Sequence, residues 1–267
     1  AVTKLKKLAG IGEAAIGEDE KFRIDITVDK ENKKLIIKDN GIGMTKDEVE
    51  KYITDIAFSG ATDFLSKYKE EDDKNTQIIG HFGLGFYSAF MPSDRVEIKT
   101  LSYKDGEKAV HWSCDGGMEY DIEECDKSDR GTEVILTISE DSKEFLEEYT
   151  VRSVLNKYCS FLPVEIYLHV AGKEEEKDKD GNPVLPKPIN DTTPLWMKAP
   201  KDCTDEEYKN FYTKVFADFN EPLFWIHLNV DYPFNLKGIL YFPKQQNKLE
   251  IIPGQVKLYS NQVFVAD

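Results

Sequence analysis

The sequence predicts an α+β fold on three observations. Residues 22–29 (FRIDITVD) alternate strictly and pass through the polar turn KENK into LIIKD, which reads as an antiparallel hairpin. Two capping-box signatures, Thr45 with Glu48 and Thr204 with Glu207, each open a run of apolar residues at helical spacing. Further short strands read at RVEIKTL, VHWS and TEVILTIS, and later at WIHLNV, GILYF and VKLYS.

Each element has its own justification. Val2, Leu5 and Leu8 recur every three residues, so residues 1–9 read as the end of a helix, and Gly10, Gly12 and Gly17 mark the loop after it. In the first strand Phe22, Ile24, Ile26 and Val28 share one face, while Arg23, Asp25, Thr27 and Asp29 share the other. After Thr45, an amphipathic helix places Val49, Tyr52, Ile53 and Ile56 on one side. A polar stretch, KYKEEDDKNTQ, then leads to the glycine-rich IIGHFGLGF and a helical YSAF. A long helix is expected over 143–160, with Phe145, Leu146, Tyr149, Leu155 and Tyr158 inward. GKEEEKDKDGNP (172–183) contains eight consecutive charged residues and reads as a linker. The helix opened by Thr204 carries Tyr208, Phe211, Tyr212, Val215 and Phe216 on one face, and no internal repeat is visible.

Composition narrows the function. The 267 residues carry 35 Lys+Arg against 50 Asp+Glu, a net charge of −15, which opposes nucleic-acid binding because the phosphate backbone selects a basic face. No apolar run approaches the roughly 18 residues of a membrane span, so no membrane role is expected. Cys114, Cys125, Cys159 and Cys203 fit neither a disulfide framework nor zinc spacing, which favours a cytoplasmic location.

Three segments carry candidate chemistry. The hairpin's second strand runs into Asp39-Asn40-Gly41-Ile42-Gly43-Met44, where Asp39 ends a strand with a carboxylate able to accept from an exocyclic amine. Alone, this D-x-G-x-G is equally an ordinary strand-ending turn. Gly80-His81-Phe82-Gly83-Leu84-Gly85-Phe86 gives G-x-x-G-x-G before a helix, a pattern that offers backbone N–H groups to an anion. It is neither a P-loop nor a dinucleotide fingerprint, and it also reads as a flexible loop with close helix packing. Arg130-Gly131-Thr132 opens the strand TEVILTI, where the Thr132 hydroxyl is donor and acceptor in one group.

The order of these segments is the more specific signal. Strand–DxGxG, helix, long polar segment, GxxGxG–helix, then GT–strand resembles the GHKL ATPase superfamily. Within it the chain resembles the 90-kilodalton heat-shock protein family of chaperones, bacterial HtpG type. IIKDNGIGMTKDEV, IAFSGATDFL, QIIGHFGLGFYSAF, DRGTEV, YKNFYTKVFADFNEPL and VKLYSNQVFVAD carry the likeness over essentially the whole chain.

The resemblance implies a two-layer α/β sandwich of the GHKL type, followed by the start of an α/β middle domain. It implies an ATP-binding domain over 1–170 lacking its N-terminal strand and part of its first helix, a charged linker over 171–190, and the N-terminal part of a middle domain over 191–267. Asp39 takes the place of the adenine-binding aspartate, with Gly43 and Met44 as pocket neighbours. Thr132 takes that of the threonine bonding Asp39 and the base, directly or through water. Gly80, His81, Phe82, Gly83, Leu84, Gly85 and Phe86 take that of the segment holding the phosphates, and residues of about 57–86 that of a mobile lid. The expected cofactors are ATP or ADP with Mg²⁺, and the expected partners are client proteins and a second copy in the full-length protein.

The family's catalytic Glu and Mg²⁺-binding Asn are expected before Ala1 and its catalytic-loop Arg after Asp267. No catalytic residue and no metal ligand is therefore expected within the chain. Phe58 stands where many relatives carry Lys, and His81 where many carry Gln. A histidine kinase or a gyrase- or MutL-like protein is the alternative within the superfamily. The kinase reading is opposed by the 135 residues after Thr132, and the DNA-handling reading by the charge. A nucleotide-binding fragment without catalysis is the remaining alternative. His111, His169 and His227 form no triad, and the acidic runs read as solvated faces. Phe216, Phe219, Phe224 and Trp225 are expected in the core of the second unit, with a client-binding patch as the other reading.

Overall fold

The computed structural model describes residues 1–17, 19–54, 85–173, 186–230, 232, 235–244 and 256–266. Helix α1 (Val2–Gly10) buries Val2, Leu5 and Leu8, as their spacing requires. Strands β1 (Arg23–Asp29) and β2 (Lys34–Asp39) pair antiparallel, with Ile26 opposite Ile37. The Thr45 capping box forms as expected and opens a short α2 (Lys46–Val49). The helix then widens into a π-helical turn over Glu50–Thr54. Val49 and Ile53 are buried, and Ile56 lies outside the described residues.

A 3₁₀ turn (Gly85–Phe90) precedes β3 (Ser93–Leu101), β4 (Val110–Cys114), β5 (Asp121–Glu124) and β6 (Gly131–Ile138). A second 3₁₀ segment (Glu140–Leu146) leads to α3 (Glu148–Tyr158) and β7 (Glu165–Val170). Seven strands form one mixed sheet in the order β5-β4-β3-β6-β2-β1-β7, with β7 parallel to β1. The sequence reading anticipated neither β5 nor β7. The first is a short, exposed edge strand inside an acidic run.

The two faces of this sheet differ by the alternation along each strand. One face carries Leu35, Ile37, Val134, Leu136, Val96, Ile98 and Trp112, of which all but Ile37 pack in one cluster with Val49, Ile53, Leu146, Phe86 and Phe90. Ile24, Ile26 and Val28 continue that layer against Val151 and Leu155 of α3. The opposite face is largely charged: Glu97 meets His111 at 3.0 Å and Lys34 at 3.6 Å, and His169 meets Asp25 at 2.8 Å. One covered face and one ion-paired face make a two-layer α/β sandwich, the architecture that the resemblance implies.

The expected helix over 143–160 is corrected. Glu147 has extended backbone (φ −99°, ψ 125°), so the 3₁₀ segment and α3 are separate and the helical phase restarts. Leu146 is buried and Leu155 half-buried as expected, but Val151 takes the central core position. Tyr149 is 82% exposed and Tyr158 also points outward.

Beyond the charged stretch, Asn190 ties the chain back to the sheet edge. Ile166 N–H donates to Asn190 Oδ1, and Asn190 Nδ2 donates to the Leu162 and Val164 carbonyls, each at 2.8 Å. Helix α4 (Asp205–Phe216) forms behind its Thr204–Glu207 capping box and buries Tyr208, Phe211 and Tyr212. Strands β8 (Phe224–Val230) and β9 (Leu236–Phe242) pair as a ribbon, and β10 (Leu258–Ser260) pairs with β11 (Val263–Ala266), which the sequence reading did not foresee. Phe161 joins the two parts, its ring centroid lying 4.6 Å from that of Trp196 and 5.1 Å from that of Tyr259.

The expected aromatic core of the second part holds only in half. Trp225 stacks on Tyr208, and Phe216 lies against Tyr212. Phe219 is 90% exposed, and Phe224 is exposed while stacking on Phe242. No helix among the described residues is long and apolar enough to cross a membrane, and all four cysteines are free.

Candidate functional site

Three strands change from apolar to polar at the same end of the covered face. On β2, Leu35 and Ile37 lead to Asp39; on β6, Leu136 and Val134 lead back to Thr132; on β3, Val96 and Ile98 lead to Thr100. The register sets Asp39 opposite Thr132 and Thr132 opposite Thr100. Directly opposite residues project to one side of a sheet, so the three form one polar row at the rim of an apolar layer.

Burial pushes the Asp39 carboxyl above the usual carboxylate range. The Gly41 N–H, which donates to Asp39 Oδ1 at 2.7 Å, opposes this, as do the charges of Lys127 and Arg130. The start of α1 packs on this turn. A Cβ at Gly41 would lie 2.6 Å from both Ala1 Cβ and Asp39 Oδ1.

Two glycines of the motifs are required by close backbone approach. Gly43 has φ +64°, and a Cβ there would lie 1.8 Å from the Leu101 carbonyl oxygen. Gly131 has φ +118°, and its Cβ would lie 2.0 Å from the Asp39 carbonyl oxygen. Both conformations suit glycine, and both contacts are with backbone that cannot rotate away. Glycine at 131 thus lets β6 close against the residue that carries the candidate carboxylate.

The loop between these points is held by polar contacts. Arg130 Nε donates to the Gly41 carbonyl and its Nη2 to the Asn40 carbonyl, each at 2.9 Å, while the guanidinium pairs with Glu20. Asn40 Oδ1 accepts from Arg23 N–H, and Tyr103 N–H donates to the Ile42 carbonyl, both at 2.9 Å. Met44 N–H donates to Thr100 Oγ1 at 2.9 Å, and the Met44 side chain packs on the core.

Asp39, Gly43, Met44 and Thr132 are therefore brought together as the motifs suggested. Thr100 and Arg130 complete the arrangement. Sequence reading gave neither a role, because Thr100 joins the row only through the β3–β6 register. Phe86 packs edge-on against Trp112, 5.8 Å between centroids, in the same apolar layer as Met44. Gly85 has open space where a Cβ would stand. Gly80, His81, Phe82, Gly83 and Leu84, and with them Phe58 and most of the expected lid, lie outside the described residues.

The described histidines have ordinary partners. His111 lies between Glu97 and Glu123, His169 meets Asp25, and His227 Nδ1 lies 2.7 Å from the Tyr208 hydroxyl. Among the described residues no cluster of three or more His, Cys, Asp and Glu side chains could hold a metal ion. The row at the sheet end is thus an acceptor-rich site with a half-buried carboxylate beside a hydroxyl. Its chemistry suits a flat ligand carrying hydrogen-bond donors.

Comparison with known proteins agrees with this geometry. Residues 19–144 match the family described as histidine kinase-, DNA gyrase B-, and HSP90-like ATPase, and residues 184–267 match the Hsp90 protein family. The chaperone protein HtpG of Bacteroides thetaiotaomicron is 54% identical over 270 residues, covering all of this chain and 38% of the relative. HtpG of Porphyromonas gingivalis is 50% identical over 272 residues, with the same coverage of each. HtpG of Escherichia coli is 39% identical over 258 residues, covering 93% of this chain and 40% of the relative. The chain thus spans well under half the length of these relatives. With the sheet order, the glycine contacts and the match over its whole length, it belongs to the 90-kilodalton heat-shock protein family, HtpG type.

Proposed function

We propose that the chain is the nucleotide-binding part of an ATP-dependent molecular chaperone, together with the start of its middle domain. In this reading residues 1–170 form the ATP-binding domain, 171–190 the charged linker and 191–267 the N-terminal part of the middle domain. Asp39 accepts a hydrogen bond from the adenine amine, and Thr132 bonds the same edge directly or through water. Gly43 and Met44 form the adjoining wall, and Gly80 to Phe86 present backbone N–H groups to the phosphates.

The observation that carries the reading is the Asp39–Thr132–Thr100 row at the polar end of an apolar sheet face. A carboxylate there raises the energy of the empty fold, since burial penalises its charge, and a bound amine offsets that penalty. Hydrolysis needs a base, a Mg²⁺ ligand and an arginine, which the family supplies from segments before Ala1 and after Asp267. When bound, Mg²⁺ neutralises phosphate charge. ATP binding and hydrolysis in the whole protein then drive binding and release of unfolded client proteins by a cytoplasmic homodimer.

A thermal shift tests the nucleotide step. ADP at 100 times its Kd adds about 2.7 kcal/mol of stability. For a unit of this size that amounts to a rise of about 5–10 °C in Tm. An unchanged Tm at millimolar ADP contradicts the reading.

A further inference from the structure

The Thr100 side chain is fully buried, and its hydroxyl has one hydrogen and two lone pairs. Three partners surround it. Met44 N–H donates to Oγ1 at 2.9 Å, the Gly131 carbonyl accepts at 3.3 Å, and Thr132 Oγ1 lies at 3.0 Å. Only one arrangement satisfies all three together. Met44 N–H fills one lone pair, the Thr132 hydroxyl hydrogen fills the other, and the Thr100 hydrogen goes to Gly131. Thr132 then turns its lone pairs, and no hydrogen, toward the ligand side. Its opposite neighbour across the β2–β6 ladder is Asp39, whose ionised carboxylate also only accepts.

We propose that Thr100 is a specificity-determining residue: by holding the Thr132 hydrogen, it makes Asp39 and Thr132 a two-acceptor reader that selects an exocyclic amine over a carbonyl. The inference rests on the nucleotide reading of this site and adds the source of its base preference. An amine supplies two hydrogens, which two neighbouring acceptors can take directly or through a water. A ring carbonyl at that position brings a third acceptor, to which neither Asp39 nor Thr132 offers a hydrogen, and the ring N–H that accompanies it lies one atom away from the place of the amine. Sites built on such matching discriminate far more strongly than apolar pockets do. Thr100 touches no ligand in this account. It acts on the base edge through Thr132, and its burial prevents solvent from replacing it.

The test compares ADP with inosine 5′-diphosphate, which carries a carbonyl in place of the amine, by calorimetry on the full chain. The wild type is expected to favour ADP at least tenfold. Thr100→Val leaves the Thr132 hydrogen free to donate to a carbonyl. The preference is expected to fall about tenfold, chiefly through tighter binding of the inosine nucleotide. Thr100→Ser keeps the oxygen and is expected to restore the wild-type ratio, which a merely structural role would not produce. If Thr100→Val does not fold, Thr100→Cys, whose thiol is a poor acceptor, carries the same expectation. A ratio within twofold of wild type in the folded variant overturns the relay. Asp39→Asn separates the two levels. If that variant loses ADP while the Thr100 variant keeps its ratio, the relay alone fails. If it binds ADP as the wild type does, the site reading fails and the relay with it.

Discussion

Replacing Gly131 by alanine puts the backbone arrangement of the site under direct strain. The new Cβ would stand 2.0 Å from the Asp39 carbonyl oxygen, 2.8 Å from Asn40 Cα and 2.9 Å from the Asp39 carbonyl carbon. A carbon and a carbonyl oxygen rest no closer than about 3.3 Å. Strands β2 and β6 must therefore separate by roughly 1 Å at the Asp39–Thr132 pair. The backbone at φ +118° adds about 1–3 kcal/mol for any residue with a Cβ, and the overpacking a similar amount. A total of about 2–6 kcal/mol is a large share of the 5–15 kcal/mol that holds a typical domain together. At about 2–4 °C per kcal/mol, Tm falls by about 4–24 °C. Calorimetric melting of both proteins measures this, and ADP titration below the transition shows at least a tenfold loss of affinity. Gly238→Ala, in β9 and outside the site, is the control, because nothing lies within 4 Å of its Cβ position and its φ is not positive. A Gly131→Ala protein melting within 2 °C of wild type would refute the reasoning.

Three other outcomes follow from the same contacts. Arg130→Met leaves the Asn40 and Gly41 carbonyls without their guanidinium donor; at about 1.5–3 kcal/mol for a charged hydrogen bond, ADP affinity falls at least tenfold, and unchanged affinity contradicts the pinning role. Asn190→Ala strips one buried and two partly buried backbone groups of their partner and lowers stability by about 2–4 kcal/mol, measured by urea unfolding; a loss below 0.5 kcal/mol contradicts it. The Asp39 carboxyl is raised in the folded state, so its ionisation is penalised by folding once the pH rises above the unfolded carboxylate pKa. Asp39→Asn therefore melts higher than the wild type at pH 7 without nucleotide, and this advantage shrinks as the pH falls and Asp39 protonates in both states. An equal or larger advantage at acidic pH contradicts the sign.

Much of the fold was legible because local signals and tertiary packing agree. The alternation of 22–29, the two capping boxes and the spacing of Val2, Leu5 and Leu8 each became the element they indicated. The long helix failed at one residue. The inward spacing of Phe145, Tyr149 and Tyr158 ignores the extended backbone at Glu147, which no side-chain pattern announces. β5 was hidden because an exposed edge strand buries too little to impose alternation. Phe219 and Phe224 were placed inside by composition alone, whereas Phe224 depends on which face of the β8–β9 ribbon meets α4, and Phe219 lies in the connection before that ribbon.

The site divides in the same way. Asp39, Gly43 and Thr132 stand in motifs and were readable in order. Thr100 is an unmarked threonine in a strand, and only the pairing of β3 with β6 brings it to Thr132. Arg130 sits beside Gly131 in sequence, yet its two carbonyl partners lie about 90 residues away in the Asp39 turn.

The central claim is that the Asp39 carboxylate reads the adenine amine. Calorimetric titration of ADP into wild type and Asp39→Asn, with melting curves on the same samples, tests it most directly. The account predicts a single site in the wild type and no measurable binding in a variant that remains folded. A folded Asp39→Asn protein that binds ADP with wild-type affinity would contradict it.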